Sequence, residues 1–388
     1  MLSASADADS GWSLPRLTSP QALRVVHVVP RLRGGAETEI RRLCERLLEH
    51  NINVTIVSVY PSGLDADERS VINVPLIELP QARGTVGRVR LLSAELRRLK
   101  PDVAHFHFDE GRFAGRFAAQ VAGQIPFVVF SDDGGELSGA FRKQGDKLLN
   151  MSTSAFVVST EEAGRQLVKT GIPEKKVSVI PSGGLELVHN QQSASKIRAE
   201  LGVAENEVAL ILPARLAAQK NQRLAMRALS RVYGMREDWH LFLLGEGPDD
   251  NMLRREAARL HIPARVKFLA ARYELATLLP AMDMFLIPSN WERIPTAMGD
   301  AMLAGIPVVS SPWDGYSEFL IDGETGFVAS DWSQEAFAEG IQRVLRDPAR
   351  AKRVAQRARI FAAERFDMDA AARKYAELYY GLVRSKRR

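Results

Sequence analysis

The sequence predicts an α/β protein made of two doubly wound domains that face each other across a cleft. Three observations carry this expectation. Short apolar runs alternate with longer amphipathic stretches from Leu23 to Ser310, the pattern of parallel strands buried on both faces with helices between them. The alternation is interrupted once, by the polar stretch Leu187–Ser195 with His189, Asn190, Gln191, Gln192 and Ser193, and then restarts. The length of 388 residues suits two or three domains. Ligands of such sheets bind outside the carboxyl ends of the strands, which here means in the cleft.

Residues 1–20 contain Asp7 and Asp9 and lack both a basic start and an apolar stretch. They read as a disordered lead-in rather than a secretory signal, and a cytoplasmic location follows as the expectation. The first domain is placed at 21–187. Its first strand is the continuous apolar run Leu23–Val29 (LRVVHVV). A Gly-Gly turn leads into a helix from Ala36 to about His50, with Ile40, Leu43, Cys44, Leu47 and Leu48 on one face. Further strands fit Val54–Val59, Val74–Leu79, Val103–Phe108, Pro126–Phe130, Ala155–Ser159 and Val177–Ile180.

The second domain is placed at 188–367. Its strands fit Val208–Leu212, His240–Leu244, Val266–Leu269, Met284–Ile287 and Pro307–Ser310, and its helices Asn221–Val232, Asp249–Leu260, Tyr273–Leu279 and Thr296–Leu303. Gly305 stands where a helix terminator belongs. Three helical stretches then follow without a strand. The last, 368–388, carries Tyr375, Leu378, Tyr379 and Leu382 on one face and is expected to pack back on the first domain.

Composition narrows the function. The chain is 46% hydrophobic and 26% charged, an ordinary globular balance. Cys44 is the single cysteine, which excludes an intrachain disulfide and a cysteine-rich zinc site. No apolar run approaches the ~18 residues of a membrane-crossing helix. The net charge of +5 is unevenly placed: fourteen basic and five acidic side chains lie between Arg343 and Arg388, so the rest of the chain is slightly acidic. A nucleic-acid binder would spread positive surface over its body. A basic end fits either a solvated helix face or an anionic surface.

Four segments carry the candidate chemistry. Arg33-Gly34-Gly35-Ala36-Glu37 follows the first strand. Its glycines allow close backbone approach and the helix start offers N–H groups to an anion, although a plain strand-to-helix turn fits equally. The segment does not match the dinucleotide fingerprint. Pro213 to Asn221 ends the second domain's first strand and holds Arg215 and Lys220, two cations able to hold a pyrophosphate or simply to face solvent. Leu244-Gly245-Glu246-Gly247-Pro248-Asp249 reads as a glycine turn open to a ligand or, equally, as a structural turn, with Asp249 as a helix N-cap. Pro288 to Val309 is the most specific, with Glu292 and Asp300 eight residues apart. Eight helical residues span ~12 Å, too far for an acid/base pair working on one bond at ~5–10 Å. The two carboxylates are therefore expected to hold two parts of one long ligand. Pro295 suits a first helical position, and the N–H groups after it can face a phosphate.

In this order the segments resemble the GT-B glycosyltransferases of family 4. Pro101-Asp102-Val103-Ala104-His105-Phe106-His107, Val179-Ile180-Pro181-Ser182-Gly183 and Asp322-Gly323-Glu324-Thr325-Gly326-Phe327 add to the likeness, which covers roughly residues 23 to 385. The resemblance implies two facing Rossmann-like domains and a retaining glycosyltransferase (a hexosyl- or similar transferase) of cell-surface polysaccharide or glycolipid assembly. It uses a nucleotide-sugar donor, a glycan or lipid-linked acceptor, no cofactor and no bound metal. The second domain would take the donor and the first most of the acceptor. By position, Arg215 and Lys220 would neutralise the pyrophosphate and, with Glu292, carry catalysis. Glu292 would contact the donor sugar and Asp300 the ribose. Ile294, Pro295 and Thr296 would line phosphate or sugar, and Gly34 and Gly35 would close from the first domain. Glu37, His107, Asp132 and Asp133 are the acceptor-side candidates, with a packed strand-end role as the alternative for His107.

The chain departs from the pattern at Asp300, where Glu is usual, at Ile294-Pro295, where Phe-Gly is common, at Ser182, and at Asp132-Asp133, where a cleft His often stands. These departures keep a second class open, a non-catalytic sugar-nucleotide-binding subunit of a glycan-assembly complex. The basic cluster Arg83, Arg88, Arg90, Arg97, Arg98 and Lys100, together with Arg384, Lys386, Arg387 and Arg388, is expected to meet an anionic membrane at its inner face.

Overall fold

The computed structural model describes residues 22–32, 35–64, 66–70, 72–108, 111–123, 125–131, 147–181, 183, 194–232, 238–269, 275–292 and 296–385, with side chains undescribed at 35–38, 67–68 and 111–112. The lead-in, Gly34, Asp132, Asp133, Ser182, Ile294, Pro295, Lys386, Arg387 and Arg388 lie outside the described residues.

Seven strands form the first sheet: β1 (Leu23–Val29), β2 (Ile52–Ser58), β3 (Leu76–Glu78), β4 (Val103–His107), β5 (Phe127–Ser131), β6 (Ala155–Val158) and β7 (Val177–Val179). Six form the second: β8 (Val208–Pro213), β9 (Trp239–Leu244), β10 (Val266–Leu269), β11 (Met284–Ile287), β12 (Val308–Ser310) and β13 (Phe327–Val328). Their orders are β3-β2-β1-β4-β5-β6-β7 and β10-β9-β8-β11-β12-β13. Every pairing is parallel. Strand order reverses between β1 and β4 in one sheet and between β8 and β11 in the other, and such switch points open a crevice at the carboxyl ends.

The apolar runs become central strands because both of their faces are covered. Val25 and Val29 of β1 join Leu43 and Leu47 of the Gly35–Glu49 helix and Ala376 and Tyr379 of the Met368–Ser385 helix. Val26 and Val28 point the other way, toward Leu92, Leu96 and Phe130. Tyr375, Leu378, Tyr379 and Leu382 all lie in or against the first-domain core, so the last helix does return to it. Phe366 belongs to a second-domain core and Met368 to the first. The chain therefore crosses at Asp367, whose carboxylate accepts from the N–H groups of Asp369 (2.8 Å) and Ala370 (3.1 Å) and so starts the new helix. At the other crossing a Cβ on Gly183 would sit 2.7 Å from the Met368 Cα, so only glycine lets the two passages touch.

Two expectations are corrected. Strand β13 was not expected; it is two residues long and sits beside the turn Asp322–Gly326, where no alternation can show. Asp249 stands before the Asp250–Arg259 helix, but its side chain makes no capping bond. Its backbone (φ −88°, ψ 1°) is not extended, the conformation that would aim a side chain at the first turn. No helix among the described residues is long and apolar enough to cross a membrane.

Candidate functional site

The segments after β8 and β11 flank the second domain's switch point and are laced together. The Asn290 N–H donates to the Gln219 carbonyl (2.9 Å) and the Gln219 amide to the Trp291 carbonyl (3.1 Å). Asn221 Nδ2 donates to Asn290 Oδ1 (3.0 Å), and Asn290 Nδ2 to the Ala218 carbonyl (3.2 Å). The lacing needs a sharp turn, and Asn221 supplies it in the left-handed region at φ 46°.

This scaffold brings Lys220 to Glu292. The ammonium lies 2.8 and 2.7 Å from the two carboxylate oxygens. The Glu292 side chain is 7% exposed and that of Lys220 22%, so the pair is half withdrawn from water while the cation keeps an open side. The buried Ser289 hydroxyl also donates to Glu292. Ser289 is held in turn, its carbonyl accepting from the Ser311 hydroxyl beyond β12. Arg215 is exposed, and its carbonyl is fixed by Gln222 Nε2 at 2.9 Å. Thr296 opens the Thr296–Leu303 helix, and Asp300, one turn in, is 4% exposed. The structure thus gathers Lys220, Glu292 and Ser289 at one point, with Arg215 on the same post-β8 segment.

The turn Leu244–Asp249 packs against the segment after β8. A Cβ on Gly245 would lie 2.3 Å from the Ala214 carbonyl oxygen, and one on Gly247 2.2 Å from that of Leu216. Gly245 also holds φ 145°. The N–H groups of Ala214 (3.0 Å) and Leu216 (2.9 Å) donate to the Leu244 and Glu246 carbonyls. These glycines admit the neighbouring loop and so brace the segment that carries Arg215 and Lys220.

Of the first-domain candidates, Gly35 begins the Gly35–Glu49 helix, and the Glu37 side chain lies outside the description. His107, for which an acceptor-side place and a packed strand-end role were both open, is 4% exposed and packed, because it shares the core-facing side of β4 with His105. Sequence reasoning missed what surrounds it. His27 Nδ1 lies 3.0 Å from His107 Nε2, and His27 Nε2 lies 3.2 Å from the Tyr379 hydroxyl. That hydroxyl is 2.6 Å from His105 Nδ1, and His105 Nε2 is 2.8 Å from Ser131 Oγ. The available signal was His27 and His105 standing inside otherwise apolar strands, opposite each other in register.

Could the three histidines hold a metal? Their nearest nitrogens lie within 4.8 Å of one another. Yet His105 and His107 stack with centroids 4.1 Å apart and a 24° tilt, so their in-plane lone pairs run alongside each other rather than converging on one ion. Neutral rings satisfy all four links whichever way the donors run, from His107 through His27, Tyr379 and His105 to Ser131 or the reverse. Burial holds His27 down at a pKa of about 3. Burial and mutual repulsion hold His105 and His107 well below the usual imidazole value.

Residues 193–361 match the family described as Glycosyl transferases group 1, and residues 33–183 that described as Glycosyltransferase Family 4. An N-acetyl-alpha-D-glucosaminyl L-malate synthase of Bacillus anthracis is 26% identical over 56% of this chain and 56% of its own, so the match spans just over half that relative's length. A UDP-Gal:alpha-D-GlcNAc-diphosphoundecaprenol alpha-1,3-galactosyltransferase of Escherichia coli is 25% identical over 65% of this chain and 68% of its own. The structure of Anabaena Alr3699/HepE in complex with UDP and glucose superposes with a TM-score of 0.79 at 20% identity, covering 92% of this chain and 100% of that one.

Proposed function

The chain belongs to the group 1 glycosyltransferases and has their GT-B fold, and from that premise we propose that it is a retaining enzyme moving a sugar from a nucleotide-sugar to a glycan or lipid-linked acceptor. The observation that carries this reading is the Lys220–Glu292 pair at the second domain's switch point. A donor supplies what each member lacks. Its pyrophosphate draws Lys220 and Arg215, and the carboxylate of Glu292, still held by Ser289, turns to a sugar hydroxyl. Asp300 takes the ribose. Backbone N–H groups at Ile294 and Thr296 take phosphate or sugar oxygens. Gly34 and Gly35 close from the first domain and exclude water.

Transfer breaks the bond between the anomeric carbon and the phosphate oxygen, and its electron pair leaves with the nucleoside diphosphate. The acceptor oxygen bonds to that carbon on the same face, and its proton passes to the departing phosphate. Arg215 and Lys220 stabilise the charge that develops. In this reading the two cations do the work for which a divalent ion would otherwise be needed.

The basic cluster supplies the acceptor end. Arg83, Arg88, Arg90, Arg97, Arg98 and Lys100 lie on and beside the Gly84–Leu99 helix, with Val86 exposed among them. Phe117 and Val121, also exposed, follow on the adjoining Arg116–Ala122 helix, where Arg97 donates to the Val121 carbonyl. Such a surface suits an anionic membrane at its cytoplasmic face.

A thermal-shift screen against UDP-, GDP- and ADP-sugars tests the donor, since binding stabilises the fold by mass action. Hydrolysis of the stabilising donor, lost in Glu292→Ala, is the expected companion result. Binding with neither hydrolysis nor transfer to any acceptor extract would leave the non-catalytic subunit. Flotation that is no better with anionic than with neutral vesicles would remove the membrane.

A further inference from the structure

Outside the candidate site, one side chain of the second domain reaches the backbone of the first. Glu318 ends the single turn Tyr316–Glu318 that follows β12. Its carboxylate reaches into the first domain and accepts from the N–H groups of Glu161 (3.1 Å) and Glu162 (2.9 Å), the first two residues of the Glu161–Lys169 helix. The side chain of the helix's own N-cap, Thr160, takes the Ala163 N–H at 3.0 Å. The first turn is therefore completed by a residue 157 positions away in the other domain. The bonds are charge-assisted and lie at the positive end of the helix dipole.

Glu318 is itself tied to the crossing. Arg365 Nη2 lies 3.3 Å from its carboxylate. The neighbouring Phe319 stacks on Phe366 at 5.6 Å with a 16° tilt, one residue short of the crossing at Asp367. Glu161 and Glu162 do not drive the third carboxylate off. Glu162 turns away to Arg165 (2.9 Å) and Gln166 (3.1 Å), which hold its carboxyl below the usual range. Beside the contact lies a groove of about 400 Å³, walled by Glu162 and Arg165 on one side and by Asp314, Ser317 and Glu318 on the other, so the domains touch here through few groups.

We infer that Glu318 is a positioning residue for transfer, a clasp that fixes the angle between the domains and hence where the first-domain Gly-Gly turn meets the donor. Two chain crossings, in contact at Gly183 and Met368, define a pivot. A pivot alone leaves the domains free to twist, and the clasp adds a charge-assisted fixed point away from it. This rests on the reading of the cleft as the transfer site, but the geometric part stands without it.

Spin labels placed on one exposed helix of each domain report the interdomain distance distribution by pulsed resonance, with no donor present. Wild type should give a narrow distribution, Glu318→Ala a broad one, and Glu318→Gln, which keeps one acceptor oxygen, an intermediate one. The melting temperature of Glu318→Gln should stay close to that of wild type, since no core residue changes. With an active donor, Glu318→Ala should raise the donor KM several-fold and increase hydrolysis relative to transfer. A merely structural residue would lower the melting temperature and leave the distances of the folded protein unchanged. An unaltered distribution in both variants overturns the clasp whether or not the protein transfers sugar. A broadened distribution with no activity in wild type keeps the clasp and removes the transferase reading.

Discussion

Lys220 and Glu292 come from segments 72 residues apart and meet with the ammonium on both carboxylate oxygens. Each is the other's counter-charge while the donor is absent. Removing Lys220 leaves a carboxylate that is only 7% exposed without its cation, which costs more than removing both charges. Lys220→Met should therefore be less stable than the double variant Lys220→Met/Glu292→Gln, with a coupling of about 1–3 kcal/mol in urea unfolding. Additive single effects would show that the pair is not energetically coupled. With the correct donor, either single variant should lose about 100-fold or more in kcat/KM.

Gly245 and Gly247 should tolerate no side chain. Each Cβ would fall closer than 2.5 Å to a backbone oxygen of the neighbouring loop, at 2.3 and 2.2 Å, and backbone cannot rotate away as a side chain can. Gly247→Ala should lower stability by about 2 kcal/mol or more. Donor binding should weaken with it, because the displaced loop carries Arg215 and Lys220. An unchanged melting temperature would mean that the loops are not in contact.

The histidine chain should make the first domain sensitive to acid. His27 has a folded pKa of about 3 against 6.5 unfolded, so between those values the unfolded chain binds a proton that the native protein refuses. Its stabilising contribution is complete above about pH 7 and falls as pH drops below 6.5, by up to about 1.4 kcal/mol per pH unit. His105 and His107 are shifted in the same direction and steepen the loss. Melting curves from pH 7.5 to 4.5 should show the fall, and His27→Gln should flatten it. A level profile across that range would contradict the buried neutral cluster.

Tyr379→Phe removes one hydroxyl that serves two rings, at 3.2 Å from His27 and 2.6 Å from His105. Both lose a partner in a site closed to water, so the cost should reach about 2–4 kcal/mol, more than a single exposed hydrogen bond. Amide exchange should rise in the Met368–Ser385 helix and in β1 before it rises in the second domain.

Much of the architecture was legible because periodicity is local. The runs Leu23–Val29, Val266–Leu269 and Met284–Ile287 are strands from end to end, and Thr296–Leu303 is the expected helix. The family resemblance placed Lys220 and Glu292 in one site. Their direct contact was not legible, since it depends on two loops from non-consecutive strands being adjacent at a switch point. The glycines at 245 and 247 pointed to a close approach without saying to what. The link between His27, His105 and Tyr379 was hidden for the opposite reason: each reads as a core position, and only the sheet register and the returning helix make them a polar chain. Arg116 was hidden likewise, a cation 1% exposed that lies over the Phe130 ring at 4.8 Å and donates to Asn150 and Thr153.

The return of the last helix also sets an order of assembly. On the ribosome the first sheet emerges early, but Tyr379, which closes over His27, emerges 352 residues later. The core of the second domain includes no described residue beyond Phe366, so all of it is synthesised before Tyr379. Until then β1 and β4 wait with one apolar face and three histidines uncovered, a nascent state that suits a chaperone and invites aggregation. The domain made first is thus the one completed last, and a chain ending between Phe366 and Tyr379 carries every core residue of the second domain joined to an open first one.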